Sequence, residues 1–103
     1  VGFPSWRLIV QTPAQVLSDV REVDWVEVVT ASLGPLRILR GHAPLVAETA
    51  AGLVRYGTAS GEHRLGVEAG LVSVTPGRVT VFTTGGQLMA DVPCDDERRA
   101  FRV

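Results

Sequence analysis

The chain has no lysine and no asparagine, and all ten of its basic residues are arginine. A coding bias toward G and C is the simplest source of that pattern. Cysteine occurs once, at Cys94, so no intrachain disulfide can form and nothing calls for an oxidising compartment. A net charge of -1 provides no general pull toward nucleic acid or anionic lipid. The N-terminus lacks the charged-then-apolar pattern of a signal peptide. No apolar run approaches the roughly 18 to 20 residues that cross a bilayer as a helix. These absences lead to the expectation of a soluble cytoplasmic protein.

Catalytic signatures are equally scarce. No Gly-x-Ser-x-Gly elbow occurs, and Ser18, Ser32, Ser60 and Ser73 lie in ordinary strand or turn contexts. His42, His63 and Cys94 have no recognised metal-ligand spacing. The pair Gly85-Gly86 lacks the lysine and helix of a phosphate loop. Asp95, Asp96 and Glu97 are better explained as the acidic start of a helix than as a metal cluster. No cofactor is expected.

What is present is β-patterned. Hydrophobic residues make up 46% of the 103, enough for one compact domain. In "WRLIVQT" (6–12), Trp6, Leu8 and Val10 share a face. In "VDWVEVVTA" (23–31), Val26 and Val28 oppose Trp25, Glu27 and Val29, and in "LRIL" (36–39) Leu36 and Ile38 oppose Arg37. Gly, Pro and Ser punctuate such runs every eight to twelve residues, the spacing of a sandwich or barrel. "TPGR" (75–78) has type II turn chemistry and predicts a hairpin, while "ASGE" (59–62) reads as a looser tip. His63 is expected on a solvent-facing strand position. A helical start is visible only in "CDDERRAFRV" (94–103).

His42 sits in "LRGHAPLVAE" (39–48), where Gly41 permits a sharp turn and Pro44 holds Ala43 extended. Taken alone, His42 is a loop histidine bonded to neighbouring backbone. Arg37 and Arg40 flank it without an acid nearby in the chain, and form either solvated surface charge or a partner contact.

Several motifs together carry a resemblance. Gly41-His42-Ala43-Pro44-Leu45, Gly52 with Arg55, Gly70, and Pro76-Gly77 occur in order between about residues 6 and 84. In this the chain resembles the epsilon subunit of the bacterial F-type ATP synthase, equivalent to the mitochondrial delta subunit. The resemblance implies an all-β domain, a ten-stranded antiparallel β-sandwich over 1–88, followed by a tail at 89–103. It implies a non-catalytic part of the central stalk, docked on the gamma subunit and resting on the c-ring, at the cytoplasmic face of the bacterial inner membrane. Pro35, Arg37, Arg40, Gly41 and His42 would face the ring, and Ala47, Glu68, Ala69 and Gly70 would face gamma.

Departures from the family pattern are informative. Pro35 replaces a usual acid, Arg37 a glycine and Arg40 a proline, which moves the ring side from acidic toward basic. Glu68 and Ala69 stand where small residues are expected against gamma, and the strand around Trp25 looks longer than usual. Family members commonly add two C-terminal helices that restrain ATP hydrolysis, some with an aliphatic-Asp-x-x-Arg-Ala motif that binds ATP. Asp96, Arg99 and Ala100 fit its end, but Asp95 replaces the aliphatic residue and the sequence stops three residues later. Neither ATP binding nor the helical brake is expected, whether the chain is naturally short or truncated. Two rival readings are a carbohydrate-binding sandwich using Trp6, Trp25 or Tyr56 as a platform, and a small hydrolase using His42.

Overall fold

The computed structural model describes residues 6–88. Ten strands follow one another: β1 (Arg7–Gln11), β2 (Val16–Val20), β3 (Trp25–Thr30), β4 (Gly34–Leu39), β5 (Leu45–Thr49), β6 (Gly52–Thr58), β7 (Gly61–Val67), β8 (Gly70–Thr75), β9 (Arg78–Thr83) and β10 (Gly86–Leu88). The helical start expected at 94–103 lies outside the described residues.

Pairing divides the strands into two layers of five. One layer runs β10-β7-β6-β3-β4 and the other β5-β8-β9-β1-β2. A single bridge, Thr30 to Thr49, joins β3 to β5 and makes the path continuous. Among the described residues all pairings but one are antiparallel. The exception is β1 with β9, which run parallel from Arg7 opposite Arg78 to Gln11 opposite Phe82. Hairpins force neighbouring strands to run antiparallel, but nearly seventy residues separate these two. Their relative direction is therefore set by the closed layer, where no local turn constrains it.

The core lies between the layers. β3 shows strict alternation, with Val26, Val28 and Thr30 buried and Trp25, Glu27 and Val29 half-exposed outside. Leu8 and Val10 of β1 meet Val26 and Val28, Ile38, Val54, Leu65, Val72, Val74, Val79 and Val81 in one cluster. Short β-branched side chains fit the narrow gap between two pleated layers. Burying each contributes about 1.5–3 kcal/mol against the entropy of ordering the chain.

The turns follow their residue chemistry. Gly77 takes φ 83 and closes the β8–β9 hairpin at Thr75 and Arg78, as a type II turn requires. The β6–β7 connection is tighter than the sequence suggests, since Thr58 pairs directly with Gly61 around Ala59 and Ser60. His63, expected at the surface, is half-buried. It pairs with Tyr56, stacks on that ring at 5.2 Å, and has its Nε2 3.1 Å from both Thr58 Oγ1 and Ser60 Oγ. Register places the two rings on the same face.

Candidate functional site

Among the described residues β4 is an edge strand, paired only with β3. That position accommodates Pro35, which has no N–H to donate to a further strand. Pro35, Arg37 and Leu39 point outward, alternating with Leu36 and Ile38 inside. Arg37 is not without an acid. Register sets it opposite Glu27, and its Nη2 lies 3.2 Å from Glu27 Oε1. Its guanidinium also stands 4.2 Å over the Trp25 ring. Glu27 in turn lies 3.5 Å from Arg55, and Arg55 is 2.7 Å from Glu62. Burial pushes the Glu62 carboxyl up, but Arg55 and Arg64 together hold it below its ordinary value. A ladder of alternating charge thus crosses β4, β3, β6 and β7.

Beyond Leu39 the chain bends. Gly41 adopts φ 87, and the His42 N–H donates to the Leu39 carbonyl at 3.0 Å. His42 Nδ1 lies 2.7 Å from the Ala43 carbonyl, which only accepts, so Nδ1 carries the proton. Among the described residues Arg40 reaches only the Val23 carbonyl, at 3.5 Å. The bend faces the Pro76-Gly77 hairpin across a cleft of about 370 Å³. Pro35 and Arg40 bracket β4, about 16 Å apart at the rise of extended chain. The five residues expected on the ring side therefore lie along one edge and around its end.

The residues expected on the gamma side are less uniform. Ala47, in β5 opposite Val72, is half-buried and packs on the core. Glu68 and Ala69 are exposed on the β7–β8 connection, so the Glu68 carboxylate needs no buried partner. The backbone of Glu68 is fixed by Gly85 O at 2.9 Å and by Thr83 Oγ1 at 2.9 Å. Gly70 opens β8 so close to β9 that a Cβ would stand 1.8 Å from the Phe82 carbonyl oxygen. It borders an apolar cleft of about 280 Å³ with Pro13, Leu71 and Phe82.

Around that cleft lies a surface the sequence reading missed. Val46, Leu71, Phe82 and Val16 are exposed on the outer face of the second layer, Val46 at 69%. Leu71 and Phe82 are cross-strand partners, with Gln11 next in the row. The signal was there. Leu71 beside Val72, and Val81 beside Phe82, place apolar residues on both faces of β8 and β9, breaking the alternation of a half-solvated strand.

Residues 5–86 match the family described as ATP synthase, Delta/Epsilon chain, beta-sandwich domain. The chain belongs to that family. It is 36% identical over 94 residues to the ATP synthase epsilon chain of Alkalihalophilus pseudofirmus, covering 91% of this chain and 69% of that protein. With the epsilon chain of Halalkalibacterium halodurans it shares 37% identity over 79 residues, 77% of this chain and 59% of the relative. The chain thus spans roughly two-thirds of the length of these curated relatives. Two solved assemblies share the fold. One chain of the Euglena gracilis mitochondrial ATP synthase (OSCP/F1/c-ring) superposes with a TM-score of 0.73 at 17% identity, covering 98% of this chain and 65% of its own. One of the Tetrahymena thermophila central stalk and c-ring gives 0.64 at 9% identity, covering 92% and 89%.

The relatives are epsilon chains, a non-catalytic subunit of the ATP synthase. Within this epsilon-family domain, the features that would serve the rival readings are otherwise engaged. Trp6 and Tyr56 are buried, and Trp25 lies between Arg37 and Gly57, where an added Cβ would meet the indole at 2.1 Å. None of the three presents the open ring that a sugar platform needs. Among the described residues no group of three or more His, Cys, Asp or Glu could hold a metal ion. Cys94, Asp96, Arg99 and Ala100 lie outside the described residues.

Proposed function

We propose that this chain is a non-catalytic central-stalk subunit of an F-type ATP synthase. It couples the gamma subunit to the membrane c-ring during proton- or sodium-driven ATP synthesis, bound peripherally at the cytoplasmic face of a bacterial membrane. The observation that carries the reading is the pair of chemically different surfaces on one rigid body. The outer face of the second layer presents Val46, Leu71 and Phe82, and Leu71 and Phe82 line an apolar cleft. Surfaces of that kind mark partner sites, and Gly70 at its border and Glu68 and Ala69 beside it would meet gamma. The β4 edge and the bend after it present Arg37, Arg40 and His42, with Pro35 and Gly41 among them, toward the loops of the ring.

A coupling part needs shape and stiffness, not bond chemistry. Two layers closed over a packed apolar core resist shear as one body, because close-packed side chains cannot slide past one another without opening voids. Val46→Glu and Leu71→Glu place a carboxylate in the gamma face at exposed positions, leaving the fold intact. Each should weaken binding to the cognate gamma subunit by about tenfold or more, read by calorimetry, with an unchanged melting temperature. Full-strength binding by both variants would remove the assignment of this face.

A further inference from the structure

The cleft beside His42 has a chemistry of its own. One wall is the bend Arg40–Pro44, the other is Thr75, Pro76 and Gly77, and Trp6 closes the floor. Both walls are fixed before any partner arrives. The His42 N–H holds the Leu39 carbonyl at 3.0 Å, and the Arg7 N–H holds the Gly77 carbonyl at 3.1 Å. Pro44 and Pro76 restrict the backbone further. Such a cleft binds without first being ordered, which removes one cost of association. At about 370 Å³ it has room for one or two side chains.

Its interior is apolar and its rim carries the positive charge of Arg40. Pro44, Pro76, Ala43 and the Trp6 ring make the interior, and Arg40 and His42 stand at the edge. No lining residue is a carboxylate. Glu22 and Asp24 are exposed on the preceding turn but do not line the cleft. Arg37, on the same edge, is committed to Glu27 and Trp25. Arg40 is different: among the described residues it makes no ion pair, and its contact with the Val23 carbonyl is 3.5 Å long. Its guanidinium is free to swing to a carboxylate at little cost. With Nδ1 of His42 bonded to the Ala43 carbonyl, Nε2 is left for a polar group of the partner.

We infer that this cleft selects its partner loop by a specific pair of groups: an apolar side chain that enters between Pro44 and Pro76, next to a carboxylate that bonds Arg40. The inference rests on the proposal that this end of the domain meets the loops of the ring, and it adds the charge those loops must carry. A basic loop would meet Arg40 with like charge, and would be rejected.

Two acetylated peptide amides, identical except for Leu-Glu or Leu-Lys at their centre, are the probes. Each is titrated into the whole chain while the backbone amide signals of residues 40–43 and 77 are followed by NMR. At about 10 mM peptide even a millimolar contact saturates. The Leu-Glu peptide should shift these signals and bind about threefold or more tightly than its Leu-Lys counterpart, with the preference shrinking as salt is raised. Arg40→Glu should reverse the preference, and Ala43→Phe, which fills the cleft, should abolish binding of both. Equal binding of the two peptides, or binding of neither, overturns the inference. A separate arm tests the stalk reading itself: if the unaltered chain binds its cognate c-ring while the peptides show no preference, the charge rule fails and the ring contact stands. If it binds no ring under conditions where it binds gamma, the ring contact is lost and the inference with it.

Discussion

Two buried threonines face each other across the seam between the layers, with opposite bonding. Thr30 donates its hydroxyl to the Gly34 carbonyl at 2.7 Å and accepts the Leu33 N–H at 3.1 Å, ordering the β3–β4 turn. Thr49, its bridge partner, has no hydrogen bond for Oγ1 among the described residues. An unpaired buried hydroxyl costs about 1–3 kcal/mol. Thr49→Val should therefore stabilise the domain by about 1 kcal/mol, and Thr30→Val should destabilise it by a similar amount, both read from urea unfolding. A loss of stability in Thr49→Val would show that the hydroxyl is satisfied. At the surface, Arg7 bonds Asp19 through Nε at 2.7 Å and holds its carboxyl below the ordinary value. A depressed native pKa means the contribution is present above the ordinary carboxylate value and lost as pH falls through the native one. The stability gap between wild type and Asp19→Asn should be open at about pH 6 and narrow as pH falls below the ordinary carboxylate value. Which residues are inward was legible in the alternation of Val26 and Val28. The partner of Arg37 was not, because Glu27 is ten residues away and only the β3–β4 register sets it opposite.

Hairpins were the most legible elements. Pro76-Gly77 dictates its own turn, and β8 and β9 follow from it. Edge and centre were not legible, since β4 and β8 are both short, apolar and bounded by turn residues. Only their neighbours distinguish them: β4 pairs on one side, while β8 pairs with β5 and β9. Gly70 shows the consequence. The sequence marked it as part of a family pattern, but the cause is the backbone of β9, 1.8 Å from where a Cβ would go. Backbone cannot step aside as a side chain can. Gly70→Ala should cost about 3 kcal/mol or more and split the start of the β8–β9 ladder. Gly52→Ala, whose Cβ would touch only Val29 at 3.4 Å, should change stability by less than about 1 kcal/mol. Thermal melts of the pair decide it: equal losses would mean the close approach at Gly70 is relaxed in solution.

Over the whole molecule, closure is non-local. Pairing β1 with β9 inside one layer brings together strands separated by most of the chain, and among the described residues one bridge, Thr30 to Thr49, joins the two layers. Such topologies lose loop entropy before contacts compensate, so refolding should fall in the range of roughly milliseconds to seconds. Stopped-flow fluorescence of Trp6 and Trp25 measures it. Microsecond refolding would indicate that the layers form independently and dock late.

The amino-acid order by itself determined the class of fold, the inward residues of most strands, the hairpin at Pro76-Gly77 and the family motifs around His42. Each is a local property: a period of two, a turn that only certain residues permit, or a run of neighbours along the chain. Tertiary structure alone decided the parallel pair, the charge ladder from Arg37 to Glu62, the apolar face of Val46, Leu71 and Phe82, and the cleft between two distant turns. Those features depend on which strands become neighbours and in what register. That choice is made by burying one shared core, a quantity that belongs to the whole chain and to no segment of it.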